Sequence, residues 1–106
     1  MRILELNESS VPYIDLSHNT GLTNLNLNYN TLTYLDISNN PLLNNVFAEN
    51  NILTGIAFNN PVLEQIHIAY NNISSIDFSL ATGLNGVDVS NNVLTSININ
   101  NNSELH

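Results

Sequence analysis

The chain has 106 residues, the length of one domain, and a formal net charge of −8 from nine carboxylates and a single basic side chain, Arg2. Phosphate backbones and anionic membrane surfaces are bound through Lys and Arg, so this balance argues against both as partners. No apolar run approaches the ~18 residues of a bilayer span, so no membrane insertion is expected, and with no Cys there is no disulfide framework or thiolate metal site.

The predicted elements follow a frame that repeats. Leu22-Thr-Asn-Leu25-Asn-Leu27-Asn-Tyr-Asn30 and Leu32-Thr-Tyr-Leu35-Asp-Ile37-Ser-Asn-Asn40 share the pattern L-x-x-L-x-L-x-x-N. Half-repeats begin at Met1, Val11, Leu22, Leu32, Leu43, Leu53, Leu63, Ile73, Leu84, Leu94 and Leu105, in steps of ten or eleven positions. A period of roughly 20 residues is the mark of a solenoid. The half-step is too short for a helix plus a strand, but it fits a three-residue strand and a tight bend. Alternating apolar residues predict such strands at Leu4/Leu6, Ile14/Leu16, Leu25/Leu27, Leu35/Ile37, Val46/Ala48, Ile56/Phe58, Ile66/Ile68, Ile76/Phe78, Val87/Val89 and Ile97/Ile99. Two half-repeats make one coil. The expected fold is mainly β: about five coils of roughly 20–21 residues, short parallel strands on two faces, and no regular helix. Repeat-like sequence follows Met1 without a signal peptide, and Leu105 opens a half-repeat that stops at His106. Residues 1–106 are thus expected to be a single solenoid domain, a fragment of a longer array without obvious caps.

Asn is the dominant polar residue, with 23 copies held in phase with the apolar positions. Low-complexity sequence keeps no such phase. Asn19, Asn30, Asn40, Asn51, Asn71, Asn92 and Asn102 fall three positions after the last apolar residue of a strand. An amide turned inward at a bend can pair the N–H and C=O groups that the bend leaves free, and stacked coils would join these amides into a ladder. Two breaks stand out. Phe58-Asn-Asn-Pro-Val-Leu63 is one residue shorter than its counterpart Ile37…Leu43, predicting a tightened corner near Pro61. Ala81 replaces an expected Asn, predicting a missing rung.

The frame L-x-x-L-x-L-x-x-N, nested in steps of ten and eleven along the whole chain, resembles the leucine-rich repeats, and within them the short doubled class of bacterial proteins, many of them secreted or surface-exposed. The resemblance implies protein binding or adhesion in an extracellular or cell-surface setting. It brings no catalytic motif. The chain departs from the longer eukaryotic type of repeat, because a coil has no room for a helix.

Stacking the coils places outward residues in rows. The even half-repeats give small, monotonous rows, Pro12/Thr33/Thr54/Ser74/Thr95 and Asp15/Asp36/Ala57/Asp77/Asn98 among them. Asp15 and Asp36 should be direct neighbours. Such a stripe keeps an array soluble and discourages lateral pairing. Calcium is the alternative, but it needs 6–8 oxygens from several directions. A single Thr row is a thin basis for ice binding. The odd half-repeats vary from coil to coil: Glu5/Asn26/Phe47/His67/Asp88, Asn7/Asn28/Glu49/Ala69/Ser90 and Glu8/Tyr29/Asn50/Tyr70/Asn91. The candidate binding face is therefore Asn26, Tyr29, Phe47, Glu49, His67, Tyr70 and Asp88, with the aromatic side chains in one patch suited to a protein or glycan. The competing reading is that they cover cross-strand neighbours. The rows set His67 beside Glu49 or Asp88, yet a flat surface does not suit catalysis. His18, His67 and His106 have no second His at metal spacing. No catalytic, cofactor or metal motif is read, and the sequons at Asn7, Asn72 and Asn101 are of the kind that chance produces in an Asn-rich chain. The expected function is a non-catalytic binding or adhesion module. The alternative is a structural element that self-associates through apolar solenoid ends near Leu4/Leu6 and Leu94/Leu105.

Overall fold

The computed structural model describes residues 2–103 and Leu105; the half-repeat start at Met1 and the residues Glu104 and His106 lie outside the described residues. It is a parallel β-solenoid of about five coils, flattened to 34 × 30 × 18 Å. Among the described residues there are nine three-residue strands and no helix. They are β1 (Ile3–Glu5), β2 (Asn24–Asn26), β3 (Tyr34–Asp36), β4 (Asn45–Phe47), β5 (Gly55–Ala57), β6 (Gln65–His67), β7 (Ser75–Asp77), β8 (Gly86–Asp88) and β9 (Ser96–Asn98). The odd half-repeats form one five-stranded parallel sheet in the order β1-β2-β4-β6-β8. Its register sets Glu5, Asn26, Phe47, His67 and Asp88 side by side.

The core is the inward column of frame residues. Leu22, Leu25, Leu27, Leu32, Leu35, Ile37, Leu43, Val46, Leu53, Leu63, Ile66, Ile68 and Leu84 are all buried. A three-residue strand is marginal by itself; each coil holds because its apolar residues cover those of its neighbours.

The corners close on amides. In the odd half-repeats Asn30, Asn51, Asn71 and Asn92 each donate Nδ2 to two successive coils. Asn51 reaches Leu27 O (2.9 Å) and Ala48 O (3.3 Å), and Asn71 reaches Ala48 O and Ile68 O (3.0 Å each). Their Oδ1 atoms accept a backbone N–H of the preceding coil, from Leu32 to Asn51 (3.1 Å) and from Leu53 to Asn71 (2.9 Å). In the even half-repeats Asn40 donates to Leu16 O and Asn19 O, and Asn102 to Phe78 O and Ala81 O. Asn60 does the same toward Ile37 O and Asn40 O, both at 2.9 Å. It follows Phe58 by two residues instead of three, because the corner before Pro61 is one residue short. Asn19, half-buried, supplies its backbone carbonyl to Asn40 and makes no side-chain hydrogen bond among the described residues. Ala81 is buried where the rung is missing, and it closes its bend through its own N–H to Phe78 O at 2.9 Å.

The even face departs from the expected continuous sheet in two ways. No strand forms around Ile14. The Asp36 carboxyl, held below its usual range first by Ser38, is pushed the other way by Asp15, and like charges oppose close pairing. The remaining strands form two separate pairs, β3-β5 and β7-β9. Between β5 and β7 the Phe58 and Phe78 rings meet inside the column, with centroids 5.4 Å apart. The shortened corner follows directly after Phe58. A shallow groove lies over this break and runs on to β9, with Tyr34, Gly55, Ser75, Asp77, Ser96 and Asn98 in its lining.

Candidate functional site

The five-stranded face carries the varied side chains. Phe47 on β4 and His67 on β6 are register partners, and their rings stack with centroids 5.0 Å apart and planes 16° off parallel. Both are half-buried. Each ring thus covers the other, which explains how a sheet otherwise clothed in amides keeps an outward Phe. A shallow depression opens on the other side of Phe47, lined by Glu5, Asn24 and Asn26.

Glu49 and Asp88 flank His67. One ligand-type atom from each of the three residues lies within 4.8 Å of the others. Asp88 is the register partner of His67 on β8. Glu49 approaches on the diagonal, where the next residue of its own row is the small, buried Ala69. The Asp88 carboxyl is held below its usual range first by the Ser90 hydroxyl, which donates to Oδ1 at 2.6 Å, then by the Ser90 N–H at 3.0 Å, with His67 adding to it. The Glu49 backbone is anchored through its N–H to Asn28 Oδ1 at 2.7 Å.

Tyr29 and Tyr70 lie one row further, at the bend, and are more than half exposed. Among the described residues the aromatic pairs are Phe47–His67 and Phe58–Phe78; the tyrosines do not join the Phe47 stack, and Asn50 separates them. Their backbone is left-handed. Glu8, Tyr29, Asn50, Tyr70 and Asn91 occupy one position of successive coils with φ between 55° and 59°. Asn suits this region, whereas a bulky side chain there is strained. Asn26 lines the depression and accepts the Asn28 N–H on Oδ1 at 3.2 Å.

Some outward polar groups serve the scaffold. The Asp15, Asp36, Asp77 and Asp88 carboxylates each accept the N–H two residues on, closing a turn. Thr54 and Thr95 hydroxyls donate to Thr33 O and Ser74 O of the preceding coil at 3.2 Å. Outer amides also pair, Asn45 Nδ2 with Asn24 Oδ1 (3.0 Å) and Gln65 Nε2 with Asn85 Oδ1 (2.7 Å). The repeat frame alone does not anticipate these last contacts. The rows carry a signal for Asn24–Asn45, which are stacked neighbours. Gln65 reaches over Gly86, where a Cβ would stand 2.2 Å from its amide oxygen.

No family model matches the chain, and no curated protein matches it. Among solved structures it is similar to the functional domain of InlJ from Listeria monocytogenes, which includes a cysteine ladder, at 19% identity and a TM-score of 0.49. The match covers 99% of this chain and 33% of that one, so the chain spans about a third of that structure's length. At this level the likeness concerns the solenoid alone. This chain has no Cys, and its own ladders run through Asn.

Proposed function

We propose that the chain is a leucine-rich-repeat binding module of the short bacterial class, a non-catalytic part of a secreted or cell-surface protein that recognises a protein or glycan through its five-stranded face. The observation that carries this reading is the contrast between faces. The even face is split and, apart from the exposed Tyr13 and Tyr34, small-residued. The odd face is continuous, changes from coil to coil, and carries a stacked aromatic pair, two carboxylates and two exposed tyrosines, Tyr29 and Tyr70, on left-handed backbone. Backbone strain held at an exposed position fits a side chain kept for contact. Aromatic anchors ringed by polar groups suit a binding surface. Nucleic acid is not the partner on this reading, since Arg2 alone cannot neutralise a phosphate track.

The test is binding of the labelled chain to a glycan array and to a panel of extracellular-matrix proteins. Phe47→Ala should abolish the signal while leaving the circular dichroism spectrum unchanged, and Tyr34→Ala on the even face should not. Equal binding by wild type and Phe47→Ala would overturn the assignment to this face.

A second reading rests on the last coil, where Ile97 and Ile99 are 46% and 50% exposed. An added coil or a second copy would cover them. In the self-associating case, light scattering coupled to gel filtration shows mass growing with concentration; a constant monomer mass removes it.

A further inference from the structure

We propose that Glu49, His67 and Asp88 form a binding site for a divalent transition-metal ion of the zinc type. Three observations carry this independently of any macromolecular partner. The first is convergence: an imidazole nitrogen and two carboxylate oxygens from three successive coils lie within 4.8 Å of one another. A tetrahedral ion with bonds of about 2.1 Å separates its ligand atoms by about 3.4 Å, so the set has to close by no more than about 1.4 Å. The second is that two of the three groups are already held. The Phe47 ring lies against the His67 ring, and Ser90 occupies Oδ1 of Asp88, leaving Oδ2 free. Such supporting contacts orient ligands and tune metal sites. The third is charge. Two carboxylates converge on His67 in a chain whose only Lys or Arg is Arg2, and Arg2 lines a different hollow, with Gly21, Thr23 and Leu42. A divalent cation supplies the charge that the sequence does not.

The donor set selects the ion. One nitrogen and two oxygens suit zinc, cobalt or nickel. Calcium takes 6–8 oxygens and has no use for an imidazole. Three protein ligands leave at least one position of the ion directed to solvent, open to water or to a donor atom on whatever lies over the face.

The experiment is titration of the whole chain with zinc chloride by calorimetry, and with cobalt chloride by visible absorption. The expected result is one equivalent bound per chain, with affinity lowered about tenfold or more by His67→Gln, since even loss of a supporting contact costs roughly 10- to 100-fold. Glu49→Gln and Asp88→Asn should also weaken binding. Asp88→Asn keeps the turn, because Asn98 closes the same turn through its own Oδ1, accepting the Asn100 N–H at 2.9 Å. His18→Gln, a change on another edge of the molecule, should leave the titration unchanged. Absence of zinc binding by the wild-type chain overturns the proposal, as does a titration indifferent to His67→Gln. Calcium binding lost in Asp88→Asn but kept in His67→Gln overturns it too, since that would be a carboxylate-only site. These readouts do not depend on a protein or glycan ligand, so the metal site and the binding-module reading can fail separately.

Discussion

At the scale of single residues, the Asn amides show why one residue type dominates this chain. A bend between three-residue strands leaves backbone groups unpaired inside the column. The Asn side chain offers two donors and an acceptor on a short stem. Asn51 uses them on Leu27 O, Ala48 O and the Leu32 N–H. Asn51→Ala would strand the Leu32 N–H in the interior, at about 1–3 kcal/mol for one group left unsatisfied, while Leu27 O and Ala48 O keep donors in Asn30 and Asn71. Its melting temperature should fall by roughly 5 °C or more, whereas Asn19→Ala, which removes no side-chain hydrogen bond, should change little; thermal denaturation followed by circular dichroism compares them. The left-handed row gives a prediction of opposite sign. Asn50 and Asn91 already fill the position that Tyr70 holds at φ 58°. Tyr70→Asn should relieve about 1 kcal/mol of strain and raise the melting temperature by about 4–8 °C. If the tyrosine is kept for contact, the same variant binds more weakly in the array assay.

Elements here are coils, and each draws stability from its neighbours. Ile66 at the centre of β6 is fully buried between β4 and β8, while its counterpart Ile97 in β9 is half exposed. Ile66→Ala should cost about 2–5 kcal/mol, and Ile97→Ala under about 1 kcal/mol; urea denaturation of the two variants measures the difference. The strands of the odd face are readable from the alternation, because the frame itself keeps its phase through steps of 21, 21, 20 and 21 residues. The split of the even face is not. β5 and β7 stay unpaired where the Phe58 and Phe78 rings meet and the shortened corner follows; these two frame positions look like any other apolar residue until the coils are stacked. The rung at Asn60 escaped for a related reason. The short corner at Pro61 was visible, but which residue the slip carries into the ladder depends on the path of the chain.

For the molecule as a whole, charge and turn closure are joined. Ser38, Ser79 and Ser90 hold the Asp36, Asp77 and Asp88 carboxyls below their usual range, the side-chain hydroxyl contributing most in each case. A group whose folded pKa is depressed contributes stability that is complete above its unfolded value, near 3.8, and is lost as pH falls through the folded one. Unfolding followed from pH 7 to pH 2 should therefore show a loss of stability confined to the region below about pH 4. The triple variant Asp36→Asn, Asp77→Asn, Asp88→Asn should flatten that acid limb, since an amide closes the same turn at Asn98 without titrating. An unaltered acid limb would mean that other carboxylates govern it.

The sequence by itself determined the period, the inward column and the identity of most bend residues. All three are one-dimensional: they depend on which residue recurs at which step, and a solenoid maps chain position onto space almost linearly. Only the tertiary structure decided what happens between coils on a diagonal. Glu49 belongs to one row and His67 and Asp88 to another, and the three converge beside the small, buried Ala69. The rows could place His67 near either carboxylate, but not both around one point. Proximity of that kind depends on side-chain direction and on the space a neighbour leaves empty, neither of which a repeat frame encodes.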